Sequence, residues 1–131
     1  MTAPKKERGR TIDPASFADD WAAAWNRRDV EAVLAHFHDD VVFTSPTALA
    51  VVGAATVRGK AALRDYWNLA MQRIGSLRFT LDRVVWDPGR SELAIVYTSE
   101  IDGALRRVSE NLIFDRAGRV VRAEVFHGVC P

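Results

Sequence analysis

Residues 21–46 read WAAAWNRRDVEAVLAHFHDDVVFTSP, and the change of hydrophobic period inside this stretch decides the fold class. Trp21 and Trp25 stand four residues apart with alanines between them, and Phe17 lies one further step upstream. Large aromatics at that spacing fall along one face of a helix. Asn26-Arg27-Arg28-Asp29 interrupts the pattern. Asp29 is placed to cap a second short helix, on which Val30, Val33, Leu34 and Phe37 share a face. After His38-Asp39-Asp40 the period becomes two: Val41, Phe43 and Ser45 fall on one side of a short strand, Val42 and Thr44 on the other, and Pro46 ends it.

Upstream, Asp13-Pro14 makes a helix start, with the carboxylate capping backbone N–H groups and the proline fitting the first turn. Residues 1–11, with Lys5, Lys6, Arg8 and Arg10 around a glycine, read as a disordered tail. Residues 12–131 then read as a single domain. Downstream, residues 47–57 (TALAVVGAATV) read as an irregular apolar connection that partly covers a pocket mouth. Gly59-Lys60 leads into a third helix carrying Leu63, Tyr66, Trp67, Ala70, Met71 and Ile74 at helical spacing, with Gly75 as its stop.

Four strands follow. Leu77, Phe79, Leu81, Arg83 and Val85 alternate with Arg78, Thr80, Asp82, Val84 and Trp86, up to the turn Asp87-Pro88-Gly89-Arg90. Leu93, Ile95, Tyr97 and Ser99 alternate next and end at the hairpin signal Asp102-Gly103. A third strand reaches Phe114, and after Asp115-Arg116-Ala117-Gly118 a last one runs from Arg119 to about Gly128. Helices first and antiparallel strands after make an α+β arrangement with the helices on one face of a sheet.

The bulk properties narrow the function classes. The 131 residues suffice for one hydrophobic core, and 48% hydrophobic with 27% charged residues is an ordinary globular balance. A formal net charge of +1 gives no electrostatic case for nucleic acid or an anionic membrane. No apolar run approaches a membrane span, and the charged start is followed by no signal-peptide core, so a soluble, cytoplasmic protein is expected. Cys130, the single cysteine, excludes an internal disulfide. There is no G-x-G-x-x-G, P-loop, H-E-x-x-H or nucleophile elbow. The cluster His36-x-His38-Asp39-Asp40 reads as the end of the second helix, where a cation is favoured, because adjacent residues there point apart rather than converging on a metal. No metal and no cofactor are expected.

The stretch 21–46 resembles the opening of SnoaL-like and ketosteroid-isomerase-like members of the nuclear-transport-factor-2-like superfamily. The matching features are the aromatic first helix, the N-x-x-D hinge, the short second helix with Asp39-Asp40, and a strand ending in proline. Val57-Arg58-Gly59-Lys60 resembles the family's third-helix entry, and residues 114–120 (FDRAGRV) its last hairpin. The resemblance implies a cone-shaped, curved, mixed or antiparallel sheet wrapped around a pocket closed by three N-terminal helices, and a homodimer through the sheet face. It also implies a departure. The family's isomerases carry a catalytic aspartate immediately before the strand-ending proline, where this chain has Ser45. Trp21 and Trp67 stand where the family has tyrosines, and Glu110 corresponds to its oxyanion-hole carboxylic acid. A serine hydroxyl without a partner is no base near neutral pH, so authentic ketosteroid isomerase activity is not expected.

The strand alternation places the candidate site independently. Val108, Glu110, Leu112 and Phe114 form the more apolar face of the third strand, and Val121, Ala123, Val125 and His127 that of the last. Turned inward, these faces carry Glu110 and His127 into an apolar cavity, where burial would raise the carboxyl pKa and an imidazole could couple to it. Glu110 and His127 are therefore the candidate acid–base pair, the competing reading being a Glu110 tied to an arginine or a Trp N–H and a His127 at a frayed end. Trp21, Trp25, Phe37, Ser45, Trp67, Phe79, Tyr97 and Ser99 are the candidate ligand contacts. The expected ligand is a small hydrophobic molecule, bound for catalysis of isomerase, hydrolase or cyclase type, or bound without catalysis. Val84, Trp86, Val96, Ile113 and Phe126 make the outer sheet face apolar enough for a partner, read as a second copy, so a homodimeric assembly domain is the remaining alternative.

Overall fold

The computed structural model describes residues 12–131; the tail reading for residues 1–11 lies outside them. Helix α1 (Pro14–Asn26) starts where the sequence places it, with Asp13 Oδ1 accepting from the Ser16 amide at 3.3 Å. Helix α2 (Val30–Leu34) is capped by Asp29, whose Oδ1 accepts from the Ala32 amide at 3.0 Å. Strand β1 (Phe37–Thr44) begins earlier than the sequence suggests. Phe37 and His38 therefore belong to the sheet, and the helix-end role read for His38 does not apply. Its Nδ1 instead accepts from the Asp40 amide at 2.9 Å.

The expected irregular connection is a helix and a strand. Ser45 caps α3 (Pro46–Val52), its hydroxyl accepting from the Thr47 amide at 3.1 Å, and Gly53 closes it with φ 79°. The serine–proline start and the glycine stop are local helix signals; the proline that ends β1 also begins α3. Strand β2 (Thr56–Arg58) then pairs antiparallel with β1.

Helix α4 (Lys60–Arg73) ends without a left-handed glycine. The guanidinium of Arg28 donates to the carbonyls of Met71 at 2.8 Å and Gly75 at 3.2 Å, and to that of Ile74. Gly75 matters for space: a Cβ there would stand 2.8 Å from Oδ1 of Asp102, which accepts from the Gly75 and Ser76 amides.

Strands β3 (Leu77–Asp87), β4 (Glu92–Ile101), β5 (Ala104–Phe114) and β6 (Val120–Gly128) form the meander, joined between β4 and β5 by Asp102 and Gly103 with φ 51° and 86°. The six strands make one curved, open sheet in the order β2-β1-β6-β5-β4-β3, in which only the β1–β6 pairing is parallel. Helices α1 and α4 pack across its inner face, enclosing Trp21, Phe37, Leu63, Leu93, Ile95 and Leu112.

A register shift in β3 between Leu81 and Arg83 changes which residues face inward. Val84 and Trp86 consequently pack on the core, Trp86 edge-on to Phe114 at 6.0 Å, while Val85 is 56% exposed. The expected outer apolar face loses Val84 and Trp86. A second shift between Ile113 and Phe114 buries Val120 at the start of β6 and leaves Val121 half-buried.

Candidate functional site

Between α4 and the inner faces of β3–β6 lies a cavity of about 100 Å³. Its aromatic wall is built by helical and strand periodicity meeting. Trp25 comes from α1 and Trp67 from α4, their rings edge-to-face at 4.8 Å, and Phe79 and Tyr97 close the β3–β4 side with centroids 4.7 Å apart. Glu110, His127, Ser45 and Ser99 also line it.

Two of the candidate contacts do not reach the cavity. Trp21 and Phe37 are completely enclosed one layer behind, Trp21 stacked on Phe79 at 5.6 Å and Phe37 edge-on to Trp67 at 5.5 Å. They orient the wall. The Trp21 indole N–H has no hydrogen-bond partner among the described residues. His36 likewise serves packing, its ring against Phe17 at 5.0 Å and its pKa lowered by burial.

Of the lining residues not among the candidate contacts, three carry aromatic or charged side chains. Phe43 lies on the inward side of β1, and Tyr66 precedes Trp67 in α4, in the row Tyr66, Ala70, Ile74 at four-residue spacing. Arg106 extends the inward series Val108, Glu110 by one more step of two; a charged residue hides this because it breaks the apolar pattern without breaking the geometry.

Glu110 is buried, and its hydrogen-bond partner is the hydroxyl of Tyr97, 3.5 Å from Oε1. Loss of water pushes its pKa up to about 8, and the Tyr97 bond offsets only part of this. At pH 7 the carboxyl is therefore mainly the neutral acid. Burial and the nearby Glu110 hold Tyr97 well above the usual phenol range. Tyr66 is raised by burial too, the Ser45 side chain pulling back and Glu110 adding to the rise. Neither tyrosine ionises near neutrality.

His127 is half-buried and tied to Arg106 rather than to Glu110: a guanidinium nitrogen lies 3.3 Å from its Nδ1. Arginine only donates, so Nδ1 is the acceptor and the neutral ring carries its proton on Nε2. Burial, and then the charge of Arg106, lowers the His127 pKa. The cavity is therefore neutral and rich in hydrogen-bond donors, with one cation at its edge. Such a surface suits an apolar molecule bearing an acceptor oxygen. Among the described residues no three His, Cys, Asp or Glu side chains converge as metal ligands, and no helix is long and apolar enough to cross a membrane.

The family model describing a SnoaL-like domain matches residues 18–127. A SnoaL-like protein of unknown function from Burkholderia thailandensis E264 is 28% identical, with 88% of this chain and 93% of that one covered at a TM-score of 0.79. A nuclear-transport-factor-2-like protein of unknown function from Cytophaga hutchinsonii ATCC 33406 is 13% identical over 91% of this chain and 93% of its own, TM-score 0.67. A candidate ketosteroid isomerase from Kribbella flavida DSM 17836 is 18% identical over 88% and 78%, TM-score 0.68. The last two likenesses concern the fold alone. Among curated proteins there is no match.

Proposed function

The chain belongs to the SnoaL-like domain family, and we propose that its cavity takes a small, mainly apolar molecule with a carbonyl, epoxide or similar oxygen, on which Glu110 acts as acid and base. The observation that carries this reading is a buried carboxyl held neutral near pH 7 among aromatic walls, with a tyrosine hydroxyl as its partner. An acid whose pKa lies close to working pH can both give up and take back a proton. Burying it costs stability, and such perturbed groups cluster at functional sites. In the proposed step the Glu110 proton passes to the substrate oxygen as negative charge develops there, and the resulting carboxylate accepts a proton from carbon or from water. Tyr97 stabilises that carboxylate by its hydrogen bond. His127, with Nδ1 taken by Arg106, serves as an N–H donor rather than as the base.

A non-catalytic binding role has one specific observation in its favour. Ser45 occupies the place of the family's aspartate, and its hydroxyl is engaged in capping α3. A homodimer through the outer sheet face draws support from Val96, Ile113, Phe126 and Val85.

The test is Glu110→Gln against a set of β,γ-unsaturated ketones and aryl epoxides. Glutamine copies the shape and donor of the neutral acid but transfers no proton. Catalysis by Glu110 predicts turnover reduced by about a hundredfold or more with binding largely kept. Turnover equal to wild type would remove Glu110 from the reaction; binding without turnover of any member would favour the binding role.

A further inference from the structure

The cavity opens into an outer cleft of about 230 Å³, with which it shares Thr47, Ala70, Ile74, Ser99, Ile101 and Arg106. The cleft adds Arg73, from the last turn of α4. Its two charged residues are both cations, and neither makes an ion pair among the described residues, whereas Arg27, Arg64, Arg83, Arg90 and Arg107 each meet a carboxylate.

The acceptors nearest this mouth pair with neither cation. Carbonyls at the end of α4 would present partial negative charge, but Arg28 donates to those of Met71, Ile74 and Gly75. Asp102, the acid beside them, accepts from the Gly75 and Ser76 amides through Oδ1 and forms no ion pair with Arg73 or Arg106. Inside, the one carboxyl of the cavity is neutral near pH 7 and does not repel an anion. Positive charge at the mouth is thus left for a ligand.

We infer that the ligand is an amphipathic acid, its apolar body against Trp25, Trp67 and Phe79 and its carboxylate at the mouth with Arg73 and Arg106. This rests on the reading of the cavity as the ligand site. It adds a distribution of charge: acceptor oxygen inside, anion outside, apolar carbon between. Guanidinium groups suit a planar carboxylate because they donate in a fork.

Calorimetric titration of the full chain with trans-cinnamate and with methyl trans-cinnamate, at pH 7.5, tests it. The acid is expected to bind about tenfold more tightly at low salt, since two exposed guanidinium–carboxylate pairs each add modestly, and the gap should narrow in high salt. Arg73→Gln and Arg106→Gln should each reduce the acid-to-ester ratio, and together bring it near one. An ester that binds as well as the acid, or a ratio unmoved in both variants, overturns the inference while ester binding leaves the cavity reading standing. If neither compound binds, both fall.

Discussion

The Tyr97 hydroxyl reaches Glu110 diagonally across two paired strands: β4 and β5 set Tyr97 opposite Val108 and Ile95 opposite Glu110, and Oη lies 3.5 Å from Oε1. Both side chains point inward because their strands bury every second residue. The carboxyl is thereby removed from water with one long hydrogen bond as compensation, which raises its pKa rather than holding it ionised.

The pH dependence of stability follows from that shift. The folded protein keeps the Glu110 proton up to about pH 8, while the unfolded chain releases it near 4.5. Between these values the folded state binds more protons, so the Glu110 contribution is fully present below pH 4.5 and is lost as pH rises towards 8, by about 1.4 kcal/mol per unit. Glu110→Gln should lack this decline and be more stable than wild type by a few kcal/mol above pH 8, in urea unfolding compared at pH 5 and pH 9.

Tyr97→Phe removes the one side-chain hydrogen bond that, among the described residues, stabilises the carboxylate. The Glu110 pKa should rise further, by up to about one unit for a neutral donor. Carboxyl carbon shifts followed by NMR titration would show it; a fall in pKa would mean that Tyr97 does not act through this bond.

Arg28→Ala should cost about 2 kcal/mol, since three carbonyls at the end of α4 lose a charged donor. Arg28→Lys should recover part of this. Denaturant midpoints of the two variants measure the difference, and equal stability of Arg28→Ala and wild type would contradict the capping role.

The register shift in β3 makes a paired prediction. Trp86→Ala should destabilise by about 2 kcal/mol through lost packing on Phe114, and the neighbouring Val85→Ala by under about 0.5 kcal/mol. Simple alternation through Leu81 would predict the reverse order, and thermal unfolding of both variants decides.

Much of the fold is legible from residues close in sequence. Asp13 and Asp29 cap helices where they stand, Asp102-Gly103 turns the β4–β5 hairpin, and the aromatic spacing of α1 finds its buried face. The helix α3 was equally legible, since Ser45, Pro46 and Gly53 mark its two ends, but apolar content invites a loop reading of a seven-residue segment. Within the site, period two along β5 and β6 finds Glu110 and His127, and stops short of Arg106 because charge conceals a position that geometry assigns inward.

By itself the sequence determined the kind and order of the elements outside residues 46–58 and the inward phase of β4 and β5, because caps, turns and side-chain periodicity act over a few residues. Tertiary structure alone decided that Trp86 packs inward, that Trp21 and Phe37 stand behind the cavity wall, and that Arg28 occupies the carbonyls beside Arg73. Each of these depends on a register shift or a contact between segments distant along the chain, and such contacts are set by how the sheet curves over its helices, which no local pattern encodes.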